Sequence, residues 1–566
     1  MKRIRMIFTI LAAAALVFTA GCQTGTASAA ATDTADVTVV TAEAVSAVKT
    51  AQAIASEAYS DRDLDASYDA ADATEVDLSA VTGDYTITAA GVYVLSGTLA
   101  DGAIIVNAGE EDKVQIVLSN ASITNSDGPA IYAVSADKVF VTAADGTVNS
   151  LSDGVTYAGD SFGNNPDGVI FARCDLTLNG TGTLNIDGNY KFGVVGKDDI
   201  VVAYLTLNVT AASDGIVGKD SVSINGGTIT ITAGGDGIVS ENDDDTAKGS
   251  VLIDGGTITI KTGGANADSA KGVKAQASLT INGGSITINS EDDSLHSAAS
   301  ITVTGGTIYL SSGDDGMHSD DLLVVSGGEI TVAQSYEGIE AGTITISGGV
   351  IDVTSTDDGF NAAGGADGSS SGGPRGQDSF LADTSKSIVI SGGTVTVNAD
   401  GDGLDSNGTM SIIGGTIYIS GPTNSGNGAL DSAGTMTISS GIVVAAGSAG
   451  MAQTFDQSSS QASVSYTYAS AQQAGTTITL QDASGNVIAT YTPEKTYQNV
   501  VISAPALTVG QSYTLYSGST AVETITLSGI VTTAGSGGTG NGGFAGDGSF
   551  GGGMPGGGMP GGGKRR

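Results

Sequence analysis

Apolar and polar residues alternate along most of the chain in short runs that stop at glycine. Val222 and Ile224 alternate with serine before Asn225-Gly-Gly; Ile229 and Ile231 alternate with threonine before Ala233-Gly-Gly; Asp236-Gly-Ile-Val then opens a third run. Period-two alternation is the signature of a strand with one buried face, and no stretch of the repeat carries a helical period. Three short strands and three tight corners fill the 22 residues from Asp214 to Gly235.

The pattern recurs. Gly-Gly pairs begin at Gly226, Gly255, Gly283, Gly305, Gly327, Gly348, Gly392 and Gly414, at intervals of 29, 28, 22, 22, 21, 44 and 22. A polar marker precedes most pairs by 12 residues: Asp214, Asp236, Lys271, Asp293, Asp315, Glu337, Asp358 and Asp402. A fixed period of this length means a stacked solenoid. The predicted fold is all-β: a right-handed parallel β-helix of about 22 residues per coil, roughly triangular in section, with a small C-terminal β domain. Inward Ile and Val form the core, and glycines turn the corners.

The irregular intervals mark insertions, the longest a Gly/Ser-rich loop over 362–387. The expected boundaries are a lipoprotein signal peptide at 1–21, an Ala/Thr/Ser-rich linker at 22–74, the β-helix at 75–452, the C-terminal β domain at 453–532 and a disordered Gly-rich tail at 533–566. The leader has Lys2, Arg3 and Arg5, then an apolar run to Ala20, then Thr-Ala-Gly-Cys at 19–22. It resembles a lipobox, which places a lipid on Cys22 and the protein at the cell surface, anchored only by that lipid. An ordinary secretory signal cut near 27–30 is the alternative. Cys174 then has no intramolecular partner and sits in a strand-like run, so it reads as a buried thiol.

Charge narrows the partners. With 21 Lys+Arg against 60 Asp+Glu the formal charge is −39, which excludes nucleic acid as a favourable ligand. The chain is expected to be a monomer, and an acidic partner needs a cation between the two surfaces. Stacking sets equivalent positions about 4.8 Å apart, so the markers form a column. Three residues on runs a second: Val217, Val239, Lys274, His296, His318, Glu340, Asn361 and Asp405. Asp292, Asp314 and Asp357 precede markers, and Asp320, Asp321 and Asp400 lie close by in sequence. Carboxylates this close repel unless protonated or bridged. A hard cation with six to eight oxygen ligands suits them, so Ca2+ is expected, on ligands drawn from Asp236, Asp292, Asp293, Asp314, Asp315, Asp320, Asp321, Glu337, Glu340, Asp357, Asp358, Asp400, Asp402 and Asp405. The bland alternative is that each Asp-Gly merely makes a turn.

Lys271, Lys274, His296 and His318 interrupt the acidic ridge and form an island that either neutralises its neighbours or contacts a substrate carboxylate. A third column, Thr230, Thr259, Thr287, Tyr309, Thr331, Asp352, Thr396 and Tyr418, points outward from another strand; Tyr309 and Tyr418 are candidate supports for a sugar ring. Tryptophan is absent.

These coils resemble a family. Ala270-Lys-Gly-Val-Lys-Ala, Asp293-Ser-Leu-His-Ser, Asp315-Gly-Met-His-Ser, Tyr336-Glu-Gly-Ile-Glu, Asp358-Gly-Phe-Asn-Ala-Ala-Gly-Gly, Asp400-Gly-Asp-Gly-Leu-Asp-Ser-Asn-Gly and Asn427-Gly-Ala-Leu-Asp are similar to the clostridial carbohydrate-binding proteins that fold as calcium-bearing parallel β-helices. That family is similar in fold to pectate lyases and is known for binding cellulose and polygalacturonate without evident lyase activity. The resemblance implies a non-enzymatic protein that binds acidic, pectin-like polysaccharide, with cellulose as a further ligand, through calcium on the acidic ridge. The alternatives are a calcium-dependent polysaccharide lyase and an adhesin or spacer without a glycan ligand. A lyase needs a strong base for the proton α to a uronate carboxylate, and here Lys271 or Lys274 would have to serve.

Overall fold

The computed structural model describes residues 45–49, 58–264, 269–363 and 382–536. The leader with Cys22, most of the 362–387 loop and the tail from 537 onward lie outside them. The body is a parallel β-helix with three sheets, one per side of each coil. The first side is built of short strands such as Ile238–Ser240, Val273–Ala275 and Leu295–Ser297. The second carries Ser250–Ile253, Ser278–Ile281 and Ser300–Val303. The third carries Thr257–Thr262, Ser285–Asn289 and Thr307–Ser311. Every strand pairs in parallel with its equivalents one coil above and below, in the register that the 22-residue repeat demands.

Alternation decides what fills the core. In one coil Leu295, Ile301, Val303, Ile308 and Leu310 point inward and are at most 1% exposed. At about 2 kcal/mol per buried side chain, their burial gives on the order of 10 kcal/mol gross, against an opposing chain entropy of similar size. Glycine closes the corner. Gly306 sits at φ 97°, and a Cβ there would lie 3.1 Å from the backbone of Gly283 one coil away. The glycine after a marker meets a different constraint, since a Cβ on Gly316 would lie 2.6 Å from the Gly338 carbonyl oxygen.

The end of the expected linker is not a tether. Residues 58–73 pack along the second side as a strap. A helical turn at Asp61–Leu64, capped by Ser60, buries Asp63 against Lys138 at 2.7 Å. Asp63 also accepts from the Thr177 hydroxyl, and its carbonyl accepts from Asn179 Nδ2. Arg62 lies 5.0 Å over the Phe140 ring and donates to Gln115.

At the other end, the last coil strand, Met436–Gly447, pairs antiparallel with Tyr497–Ser503. That strand pairs in turn with Ser463–Gln472, and Val531–Gly535 completes the sheet beyond the expected boundary at 532. A separate four-stranded sheet spanning 478–526 packs on it, around a core of Tyr468, Leu480, Tyr497, Ile502 and Leu515. The open edge of the solenoid is thereby paired rather than exposed.

Candidate functional site: a stacked column of acids and bases

The second column of the sequence is a register ladder. Val217 pairs with Val239, then Lys274, His296, His318, Glu340, Asn361 and Asp405 follow, one per coil. It continues upstream as Tyr132, Phe171 and Val195, an apolar stretch buried against Val134 and Phe192. One side of the helix thus changes along its length from apolar to basic to acidic.

The marker carboxylates do not serve turns of their own. Asp214, Asp236, Asp293, Asp315 and Asp358 each give one oxygen to the backbone of the next coil. The Asp236 amide donates to Asp214 Oδ1 at 2.9 Å, Lys271 to Asp236 at 2.7 Å, Asp315 to Asp293 at 3.1 Å, Glu337 to Asp315 at 3.3 Å and Asp402 to Asp358 at 2.6 Å. The second oxygen faces the neighbouring column. Asp293 Oδ2 accepts from Lys271 Nζ at 2.5 Å and meets His296 Nδ1 at 2.9 Å; Lys271 also reaches Asp292 at 3.2 Å. Asp315 Oδ2 meets His318 Nδ1 at 2.9 Å.

The middle of the ridge is buried. Asp293, Asp314, Asp315, Glu337, Glu340, Asp358 and Asn361 are all at most 6% exposed. Stacked neighbours about 4.8 Å away cover them from above and below. Burial sets the electrostatics. Asp315, Glu337 and Asp358 are pushed well above the usual carboxylate range, first by burial and then by the acids around them. Asp236 is raised by burial against the lowering pull of Lys274 and Lys271. Burial would raise Asp293 too, but His296, Lys271 and His318 outweigh it and hold it low. Burial would lower Lys271 and His318, but their carboxylate partners raise both.

The basic island therefore divides. Lys271 (7% exposed) and His318 (2% exposed) are locked in internal pairs, out of reach of a polysaccharide outside the coils. Lys274, its side chain 39% exposed and 3.8 Å from Asp236, and the half-buried His296 reach the surface. The two imidazoles stack 5.0 Å apart. The sugar-ring candidates also separate. Tyr309 is 47% exposed on the third side, whereas Tyr418 stacks on Tyr491 of the C-terminal domain at 5.0 Å, so that ring face is taken. Asp400 pairs with Lys495 at 2.6 Å, and Asp321 is exposed; neither joins a cluster of possible metal ligands among the described residues.

Ligand atoms converge within 4.8 Å at several places: Asp292, Asp293 and Asp314; Asp293, His296 and His318; Asp315, His318 and Glu340; and Asp358, Asp402 and Asp405. The first and last groups offer oxygen alone, and Lys271 already occupies the first. Beside the last, Asn361 turns its amide N–H toward both Glu337 oxygens, at 3.2 and 3.0 Å, and leaves Oδ1 buried without a hydrogen-bond partner among the described residues.

Residues 82–267, 263–316 and 314–514 match the family described as "Carbohydrate-binding domain-containing protein". The chain belongs to this family. A carbohydrate-binding domain-containing protein of Acetivibrio thermocellus is 36% identical over 145 residues, 25% of this chain and 51% of that relative. The chain thus matches about half the length of the curated relative. A solved polysaccharide lyase-like protein from C. thermocellum, a gadolinium derivative, is similar over 45% of this chain and 96% of its own, at 30% identity and a TM-score of 0.37.

This carbohydrate-binding domain chain has a second acidic corner, outside the columns that run from Asp214 onward. Asp175, Asp198 and Asp199 lie within 4.8 Å of one another. Asp198 is raised to about 6 by burial and by Asp220 and Asp175. The coil period, extended upstream of Asp214, is the signal that would have found it. Burial, helped by Asp175 and Asp198, pushes the neighbouring Cys174 thiol up to about 12, so it stays protonated and inert.

Proposed function

We propose that this carbohydrate-binding domain protein is a non-enzymatic cell-surface module that recognises an acidic, pectin-like polysaccharide through calcium on the first side of the helix. The observation that carries this reading is the Asp358, Asp402 and Asp405 cluster, oxygen donors only, with Asp358 raised by burial and by both partners. A divalent cation relieves that repulsion, and hard cations take oxygen ligands. The orphaned Asn361 Oδ1 and the Glu337 carboxylate beside it add donors of the same kind. Bound there, calcium supplies positive charge that a uronate carboxylate can share, on a chain whose formal charge is −39. Lys274 and His296 supply accessible donors along the same side. The exposed Tyr309 and its threonine neighbours offer a separate face for a neutral chain such as cellulose.

A pull-down on polygalacturonate tests the reading. Binding is expected with calcium and lost with chelator, and Lys274→Ala should weaken it with little change in melting temperature. Binding that survives exhaustive chelation would sink the calcium bridge. The lyase alternative is disfavoured by Lys271, whose paired carboxylates hold its proton in place, the wrong state for a base. Absorbance from 4,5-unsaturated uronate products would reverse that judgement. Surface anchoring through Cys22 belongs to the same proposal: Cys22→Ala should move the protein from the membrane fraction to the medium.

A further inference from the structure

The chain has only two histidines, and they occupy equivalent positions in adjacent coils. Their surroundings differ in a way that matters. His296 Nδ1 faces Asp293 Oδ2, which also receives Lys271 Nζ, so that carboxylate is already met by two nitrogen donors. His318 Nδ1 instead stands 2.9 Å from Asp315 Oδ2 and 2.9 Å from Glu340 Oε2. A ring nitrogen carries at most one proton, so it cannot bond both oxygens well. The approach to Glu340 is not aligned as a hydrogen bond: among the described residues Oε2 has no hydrogen-bond partner, although the residue is only 3% exposed. Two buried carboxylates and one imidazole thus converge on a single point, with one proton to share.

We propose that Asp315, His318 and Glu340 form a site for one borderline transition-metal ion such as Zn2+, separate from the oxygen-only cluster at Asp358. The other ring nitrogen supports this. His318 Nε2 lies 3.4 Å from Asp320 Oδ1, so an Nε2–H directed at that carboxylate stays in place while a metal displaces the Nδ1 proton and takes the lone pair aimed between Asp315 and Glu340. Metal-bound histidines hold their tautomer by this kind of outer hydrogen bond. The three ligand atoms already lie within 4.8 Å of one another. Bonds of about 2.0–2.2 Å to a tetrahedral zinc set ligand atoms about 3.4 Å apart, so the two 2.9 Å contacts at Nδ1 need only open slightly to admit the ion. An imidazole with two carboxylates suits zinc or its neighbours, whereas calcium asks for six to eight oxygens. The column then sorts ions by coil, borderline metals at His318 and hard ones at Asp358.

Co2+ is the probe, added to the full chain with calcium in excess so that oxygen-only sites are filled. We expect one Co2+ per chain by calorimetry, visible d–d absorption, and displacement by Zn2+. His318→Gln should abolish the absorption. Asp320→Asn, at a side chain 41% exposed, should keep the apo melting curve and weaken Co2+ about 10–100-fold. Asp402→Asn should leave Co2+ binding intact. The proposal is overturned if wild type gives no d–d bands, if folded His318→Gln binds Co2+ as well as wild type, if Asp320→Asn does so, or if Asp402→Asn alone removes the ion. None of these readouts involves a glycan or depends on calcium bridging one.

Discussion

Burial, then the Asp236 carboxylate one coil away, raises the Asp214 acid from 3.8 to about 6. Between those values the native state binds more protons than the unfolded chain, so stability falls as pH rises. Asp315, Glu337 and Asp358, raised further by burial and neighbouring acids, act with the same sign above that window. In chelator, melting temperature should therefore drop between about pH 4 and 6, and Asp214→Asn should flatten part of the fall; a series of thermal melts decides it. Saturating calcium should restore stability at neutral pH, by about 2.7 kcal/mol at a hundredfold excess over Kd. A wild-type profile that is flat with and without the ion contradicts this expectation. How much of the site was legible in the sequence depends on the kind of fact. The columns were, because a fixed period dictates which side chains stack. The burial of Lys271 and His318 was not. Period says who is adjacent, not how completely neighbours close over one another, so it could not divide the island into a buried half that neutralises its neighbours and a half that reaches solvent. Asn361 was missed as a donor because its orphaned oxygen shows only once Glu337 has taken the amide.

A coil depends on corners and sides that the repeat writes differently. At the corner, Gly306→Ala places a Cβ at φ 97° and 3.1 Å from the Gly283 backbone, and should cost about 1–3 kcal/mol. Gly159→Ala, in a loop where a Cβ meets nothing within 4 Å, is the control and should be close to neutral by denaturant melts. The strap over residues 58–73 was illegible for the opposite reason. Its Ala, Ser and Asp composition is that of a linker, and its contacts are not periodic. Asp63 holds it down, 2% exposed beside a Lys138 side chain that is 12% exposed. Removing one partner of a buried pair strands the other charge, so Asp63→Ala should destabilise by about 3 kcal/mol. If the strap is a passive tether, the denaturation midpoint will not move.

At the scale of the whole molecule, a solenoid has no natural end, and this one is closed by pairing. Strand Tyr497–Ser503 bonds antiparallel to residues 443–447, where the last coil would otherwise present free N–H and C=O groups. Val444 and Ala446, buried in the C-terminal core, would also lose their cover. An exposed strand edge backed by apolar residues is a template for another copy. The chain's charge of −39 opposes such association, but at ordinary ionic strength the repulsion fades beyond about 8 Å, while edge pairing acts at contact. The edge should therefore win. The intact chain is expected to elute as a monomer in size-exclusion chromatography, and a chain ending at residue 452 should form oligomers that grow with concentration and with salt. Val501 offers a subtler test. It pairs with Ala445 on one flank and Ser465 on the other and is 2% exposed. Proline there removes an N–H and cannot sit in a central strand, so Val501→Pro should reproduce the truncation with every other residue retained. Should both variants stay monomeric at high salt, the C-terminal domain is not what keeps the solenoid's edge from pairing with another copy.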